Sequence, residues 1–287
     1  MLLLELDGQA LDLSDFATNG IYVAKVDIGA PAVREVVSDL PDRSGTLDQT
    51  AHVGGRLITL SGQIIASATA GTRQEIMARL TRYCYPGSRP TLTVALNDDD
   101  PRRIGLRPDQ FAAPIDRPGR CPFAASWKAP DPRFYDVTAH TVTTYPPVSA
   151  AQGREYNLVF PRVYPAGWGG SGYTTILVAG DFPTWPTHKL YGPATNPTIR
   201  VLGPGSVETS RVAFNTLTLD NNDYLEIDTQ ARAVWLNGDR TADRYSTLDV
   251  TRTKWGPLVP GYQSVVLSAT AFGEPCQLET TWNDAFY

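Results

Sequence analysis

The chain is short of cysteine, histidine, positive charge and long apolar runs, and each shortage removes a class of function. Three cysteines occur in 287 residues, Cys84, Cys121 and Cys276, far apart and odd in number. Neither a disulfide framework nor a CxxC metal knuckle can be drawn from them, and reduced, mostly buried thiols are the plain reading. The three histidines, His52, His140 and His188, fall in separate segments, and none stands in an HExxH frame. Walker A and dinucleotide fingerprints are lacking. Gly169-Gly170-Ser171-Gly172 misses the nucleophile-elbow spacing because Tyr173 stands where glycine is needed. Asp98-Asp99-Asp100 invites a calcium site, but consecutive carboxylates point apart, so a solvated turn is the better reading. No catalytic residue, cofactor or metal ligand is therefore assigned.

Lys and Arg number 25 against 30 Asp and Glu, a formal net charge of −5. Nothing in that balance gathers a DNA backbone. No stretch approaches the ~18–20 apolar residues of a membrane-spanning helix, so no membrane insertion is expected. The opening Met1-Leu2-Leu3-Leu4 has no basic lead-in and is interrupted by Glu5 and Asp7, which argues against a secretion signal.

What is present points to strands and turns. Glycine (24) and proline (23) together make about one residue in six, and helical runs are scarce, so the composition leans to β. The length suggests two domains of about 130–150 residues each. In the first half, Ile21–Ile28 is apolar and β-branched behind the turn dipeptide Asn19-Gly20. Arg56–Ile64 alternates, with Ile58, Leu60 and Ile64 on one side and Thr59, Ser61 and Gln63 on the other. Between them, Asp39–Gly55 is polar and glycine-bearing, a loop or the tip of a long hairpin. One helix is expected from the capping box Thr72-Arg73-Gln74-Glu75, with Ile76, Leu80 and Tyr83 as its apolar stripe and Pro86-Gly87 as its stop. The stripe should cross a sheet face. A strand at Thr91–Leu96 and a strand pair within Arg102–Trp127 complete the half.

Lys128-Ala129-Pro130-Asp131-Pro132 reads as the domain boundary, since prolines deny the backbone a regular ladder. This gives an N-terminal domain over 1–130, an Asp-Pro junction over 131–136 and a C-terminal domain over 137–287. Strands are expected there at Asn157–Phe160, Thr174–Ala179, Thr198–Leu202, Tyr224–Asp228, Ala233–Leu236, Ser264–Ala269 and Cys276–Trp282. That many short strands with regular turns suggest a β-sandwich. Trp168, Tyr173, Phe182, Trp185 and Tyr191 crowd a glycine- and proline-rich stretch. They serve either core packing under long loops, a protein contact, or a sugar contact by ring stacking.

Taken in order, these stretches resemble the siphophage distal tail protein family, the minor tail proteins of the tail tip. The likeness is carried by Arg43-Ser44-Gly45, then by Gly55-Arg56-Leu57-Ile58-Thr59-Leu60-Ser61-Gly62, then by the single helix and the Trp127–Tyr135 junction. It continues through Asn196–Val201, the pair Tyr224–Thr229 and Val234–Gly238, and Pro257–Gly261. The Phe160–Trp185 insertion departs from the family pattern. The resemblance implies an N-terminal β-sandwich-like domain with one helix and a protruding hairpin, followed by a galectin-like C-terminal β-sandwich. It implies a homo-oligomer, a six-subunit ring, in which each hairpin braces a neighbour. Arg43, Ser44, Gly45, Gly54, Gly55 and Arg56 would belong to that intersubunit arm. The partners it implies are the tail tube protein, the tail-tip hub protein and the tape-measure protein, with DNA passing through the lumen without specific binding. The place of work is the virion tail, after assembly in the host cytoplasm, and the product is structure rather than catalysis. A carbohydrate-binding module is the alternative, with Trp168, Tyr173 and Trp185 as its contacts. A β-sandwich hydrolase lacks any paired Asp/Glu or Ser/His arrangement.

Overall fold

The computed structural model describes residues 3–11, 20–34, 37–39, 44, 46–48, 52–67, 69–95, 100–114, 121–147 and 170–287. The chain divides into two compact units, Met1–Val137 with Tyr287, and Thr138–Phe286. Both are mainly β, as the composition requires.

The first unit opens with β1 (Leu3–Leu6), β2 (Gln9–Ala10) and β3 (Ile21–Ile28). Four short strands follow, β4 (Val33–Arg34), β5 (Val37–Asp39), β6 (Thr46–Asp48) and β7 (His52–Val53), and then the long β8 (Arg56–Ile64). After helix α1 (Arg73–Tyr83) come β9 (Thr91–Ala95), β10 (Arg102–Gly105), β11 (Arg107–Ala112), β12 (Cys121–Ala129) and β13 (Phe134–Asp136). Within this unit one sheet runs β2-β1-β9-β10-β13 and another β11-β12-β8-β3. Leu4, Leu6, Leu92 and Ile104 from the first sheet and Val23, Ile58, Leu60 and Phe123 from the second are all buried. The alternation read in β8 is present, with positions 56, 58, 60, 62 and 64 inside.

Gly62 shows why one of those inner positions carries no side chain. A Cβ there would collide with the Tyr22 carbonyl oxygen and stand 3.0 Å from the Phe123 ring. The β3–β8 ladder also shifts register between Val23 and Lys25, a bulge beside that close approach.

The capping box forms as the sequence predicts. Glu75 N donates to Thr72 Oγ1 at 3.3 Å and Thr72 N to Glu75 Oε2 at 2.8 Å. Ile76 and Leu80 are buried, and Ile76 reaches the underside of Gly20, the φ +72° residue of the turn before β3. The helix ends at Tyr83 with Cys84 as its C-cap, and Pro86 follows two residues later as the expected stop. Tyr83 is only half-buried, and its carbonyl accepts from Trp127 Nε1 at 3.0 Å. The segment from Arg102 onward is three strands rather than a pair, because buried Leu106 turns the chain from one sheet into the other. Nor does the ladder fail at Lys128, for β12 pairs with β8 as far as Ala129↔Arg56. Ala129 is buried there, and Lys128 Nζ meets Asp109 Oδ1 at 2.7 Å. The prolines act only beyond it.

The second unit contains β14 (His140–Thr144), β15 (Tyr173–Val178), β16 (Thr187–Tyr191), β17 (Ala194–Thr195), β18 (Thr198–Leu202) and β19 (Glu208–Ala213). Then come β20 (Thr218–Leu219), β21 (Tyr224–Asp228), β22 (Ala233–Leu236), β23 (Gly261–Ser268), β24 (Ala271–Phe272) and β25 (Gln277–Trp282). A five-stranded sheet, β14-β25-β16-β21-β22, supplies Leu190, Leu225, Ile227, Val234 and Leu278 to one core cluster. A four-stranded sheet, β15-β23-β18-β19, supplies Ile176, Ile199, Val201, Val265 and Leu267 to the same cluster. Two sheets over one core make the expected galectin-like sandwich. The pair Tyr224–Asp228 and Ala233–Leu236 forms the central hairpin, in register Leu225↔Leu236 to Asp228↔Ala233. The expected strand at Asn157–Phe160 lies outside the described residues. Three of the longer strands escaped the sequence reading, His140–Thr144, Thr187–Tyr191 and Glu208–Ala213, as did the two-residue strands Ala194–Thr195, Thr218–Leu219 and Ala271–Phe272.

Candidate functional site

Between β3 and β8 the described residues form two short antiparallel strand pairs, together called the ribbon below. Val33 pairs with Val53 and Arg34 with His52, and farther out Val37 pairs with Asp48, Ser38 with Leu47 and Asp39 with Thr46. Both pairs are sheets of two strands. Of the six residues assigned to an arm by resemblance, Arg43 and Gly45 lie outside the described residues, and Ser44 is exposed at the turn. Gly54, Gly55 and Arg56 form the root.

The root is fastened through the backbone. Gly54 N donates to Ala32 O, Ala32 N to Gly55 O at 3.1 Å, and Gly29 N to Leu57 O at 2.9 Å. Gly55 is small for a reason, because a Cβ at that position would lie 2.8 Å from the Ala129 carbonyl oxygen. The ribbon therefore leaves the sheet along a path packed against the end of β12.

Arg56 opens β8 and is the unusual residue of the root. Its side chain is buried, at 6% exposure, yet Nε and Nη2 have no hydrogen-bond partner among the described residues. Its guanidinium lies 4.9 Å from the Phe134 ring centroid and 5.7 Å from that of Tyr287. Such contacts are worth about 0.5–2 kcal/mol. A buried charge lacking hydrogen bonds costs several kcal/mol. Burial accordingly pulls the Arg56 pKa below its usual value, with Tyr287 opposing. Arg56 lines a cavity of about 480 Å³ together with Ile28, Val94, Phe134 and Tyr287, and with exposed Asp100 and Arg102. Nothing in the local sequence signals this cavity, because its walls come from six separate segments.

The Trp127–Tyr135 stretch holds a tight polar cluster. Arg133 donates to both carboxylate oxygens of Asp131, Nε to Oδ1 at 2.7 Å and Nη2 to Oδ2 at 2.8 Å, and Tyr135 OH donates to Oδ2 at 2.8 Å. Burial works to raise the Asp131 pKa, but the Arg133 and Tyr135 bonds outweigh it and hold the carboxyl low. This fork-on-fork pair sets the chain after the prolines and makes β13 available to pair with β10, Arg103 opposite Tyr135.

In the second unit, Tyr173 is 53% exposed on the edge strand β15 and borders an apolar cavity of about 400 Å³ with Pro147, Gly172, Leu202 and Val266. Leu177 and Tyr262, paired across β15 and β23, are exposed on the same sheet. Trp185 is half-buried and leads into β16 of the other sheet, while Trp168 lies outside the described residues. His188 is fully buried, its Nδ1 2.9 Å from Thr280 Oγ1, and burial lowers its pKa to about 4. Cys84 and Cys276 are pushed up by burial to about 11 and about 12, which leaves them as thiols at neutral pH. His140 stacks on Trp282 at 5.5 Å and approaches Asp284, whose oxygens also accept from Trp282 Nε1 and Ala179 N. These bonds close the sandwich edge.

Comparison with known proteins agrees with this architecture. Residues 179–285 match the family described as siphovirus-type tail component, C-terminal domain. No curated protein matches the chain. The crystal structure of the Dit protein of phage SPP1, titled a paradigm of the hub adsorption apparatus in phages infecting Gram-positive hosts, superposes with a TM-score of 0.67 at 13% identity over 100% of both chains. The baseplate of phage P2 in its activated conformation, with Ca and with Sr, contains chains alike at TM-scores of 0.52 and 0.54, each at 12% identity over 98% of both chains. The distal tail resemblance read from the strands and turns is borne out, with the family match confined to residues 179–285 and the likeness in fold extending over the whole chain.

Proposed function

We propose that this chain, a siphovirus-type tail component in its C-terminal unit and a distal tail protein in its fold, is the subunit of a ring at the tail tip. The ring has six copies. It joins the tail tube to the tail-tip hub and surrounds the tape-measure protein, and later DNA, which passes without specific binding. Its product is a shape, and no catalytic group is assigned to it. The observation that carries this reading is the agreement in fold over the whole of this chain and the whole of SPP1 Dit. The ribbon supports it, since a two-stranded arm offers free backbone edges for pairing with another subunit. Arg43, Ser44, Gly45, Gly54, Gly55 and Arg56 are proposed as the arm and its root.

The test is the mass of the purified protein by light scattering. A six-fold mass is expected, and a stable monomer at high concentration would overturn the ring. Deleting Thr46–His52 should lower that mass while circular dichroism and melting remain those of folded units. Hexamers from the deletion variant would refute the arm.

A second reading is favoured by exposed Tyr173 and Tyr262. The four-stranded sheet then meets a sugar or a partner protein by ring stacking. A glycan array probed with the full chain and with a Tyr173→Ala, Tyr262→Ala variant tests it. Equal signals from both proteins, or none from either, would reject it.

A further inference from the structure

The outer face of the four-stranded sheet in the second unit carries a row that its own packing leaves unfinished. Tyr173 of β15 stands opposite Val266 of β23, Val266 opposite Arg200 of β18, and Arg200 opposite Arg211 of β19. Their chain neighbours Ile199, Val201, Val212, Val265 and Leu267 belong to the sandwich core, so the row faces outward. Two arginines directly opposite each other on one face repel. Arg211 is neutralised, because Nη2 and Nε donate to Glu208 Oε2 at 2.6 and 3.2 Å. Arg200 is half-buried, and its side chain has no hydrogen bond or ion pair among the described residues.

The charge around that row is positive. The four strands contain three charged residues, Arg200, Glu208 and Arg211, and residues 248–254, which run beside β19, add Asp249, Arg252 and Lys254. Four bases against two acids leave a net +2 in a chain whose total is −5. Next to Arg200 the same face holds the cavity of about 400 Å³, where Tyr173 and Leu202 flank Ser264, Val266 and Ser268 of β23. Ser268 Oγ donates to Thr198 O at 3.3 Å, while the Ser264 hydroxyl has no partner among the described residues.

These groups share one complement. An aromatic face covers the C–H surface of a sugar, a hydroxyl answers its hydroxyls, and a guanidinium takes a carboxylate bidentately. A peptide added as a strand needs open backbone groups, which a sheet edge offers and a sheet face does not. Tyr173 and Arg200 lie two strands apart, about 10 Å, a span that suits an oligosaccharide laid across the strands.

We propose that this face binds an acidic oligosaccharide, with Tyr173 stacked on one sugar residue and Arg200 holding the carboxylate of another. The proposal rests on the sugar-contact reading above and adds the charge that the sugar must carry.

The test is an array printed with uronic- and sialic-acid oligosaccharides and with the neutral methyl ester of each, probed with the full chain over a concentration series. Wild type should bind at least one acid about 10-fold more tightly than its ester. Arg200→Gln should bind that pair alike, at the ester's strength. Its melting temperature should hold or rise, because the opposition to Arg211 is removed. Arg200→Lys keeps the charge without the fork and should retain only part of the preference. Tyr173→Ala should weaken acid and ester by the same factor. Triglutamate, offered as a competitor, should not displace the acid. Equal binding of acid and ester by wild type, or an unchanged preference in Arg200→Gln, overturns the carboxylate site and leaves the sugar contact standing. Displacement by triglutamate overturns the sugar in favour of an acidic protein segment. Binding to no printed glycan removes both the proposal and the reading beneath it.

Discussion

His188 shows how much a single residue reveals about the sandwich and how little its surroundings in sequence announce. Its neighbours in β16 are Thr187, Lys189 and Tyr191, and only Leu190 marks the inner face as apolar. The strand therefore escapes a hydrophobic pattern search, although its histidine is as buried as its leucine. A polar ring is tolerated inside because Thr280 on β25 meets it. Burial depresses its pKa to about 4, so in the folded state it is neutral where an unfolded histidine is charged. The stability this contributes is complete above about pH 6.5, the unfolded value, and is lost as pH falls toward 4. The loss amounts to about 3 kcal/mol across that window. Urea unfolding of the second unit at pH 4.5 and pH 7 should show it, and His188→Gln should flatten the difference. An unchanged slope in that variant would assign the pH dependence elsewhere.

At the level of elements, local chemistry was legible and long-range pairing was not. The capping box at Thr72–Glu75 is a four-residue signal and forms as read. The alternation of β8 is likewise contained in its own nine residues. By contrast, the corner at Leu106 that divides β10 from β11 between two sheets depends on what each strand finds opposite it. The cavity at Arg56 was invisible for the same reason, since Arg56 could be named from a strand-opening motif but its ring partners at 134 and 287 could not. Gly62 belongs to this class too: a glycine mid-strand looks like a weakness until the Tyr22 carbonyl is found lying over it. Gly62→Ala should push β3 from β8 and destabilise the first unit by about 1–3 kcal/mol, measured by denaturant unfolding. A shift of under about 0.5 kcal/mol, the size of an ordinary surface substitution, would mean that the bulge at Val23–Lys25 absorbs the methyl group.

Over the whole molecule, the two units share a building rule, antiparallel strands brought together from distant parts of the chain. β1 pairs with β9, Leu3 opposite Ala95, and β14 pairs with β25, His140 opposite Trp282. The likeness was readable because turns and strand openings follow the fold, and the fold is alike over the full length of SPP1 Dit at 13% identity. In the proposed ring, assembly would add to this rule rather than replace it, with the ribbon extending strand pairing past the boundary of one subunit. Its salt response separates two kinds of contact. Backbone pairing along the arm should be little affected by ionic strength, while exposed charges at the rim should weaken as screening shortens their reach. A salt titration of the assembled protein should therefore leave a resistant remainder, and complete dissociation in moderate salt would count against strand pairing.

The position of β25 has one more effect. It is hydrogen-bonded on both sides, between β14 and β16, so the five-stranded sheet is two fragments until residues 277–282 have left the ribosome. The earlier strands wait for a keystone delivered late in synthesis. A product stopped near residue 270 should therefore be digested through its second unit by a protease that spares the full chain. Completion of the sheet is thus tied to residues 277–282, and a chain broken off before them should lack a finished second unit.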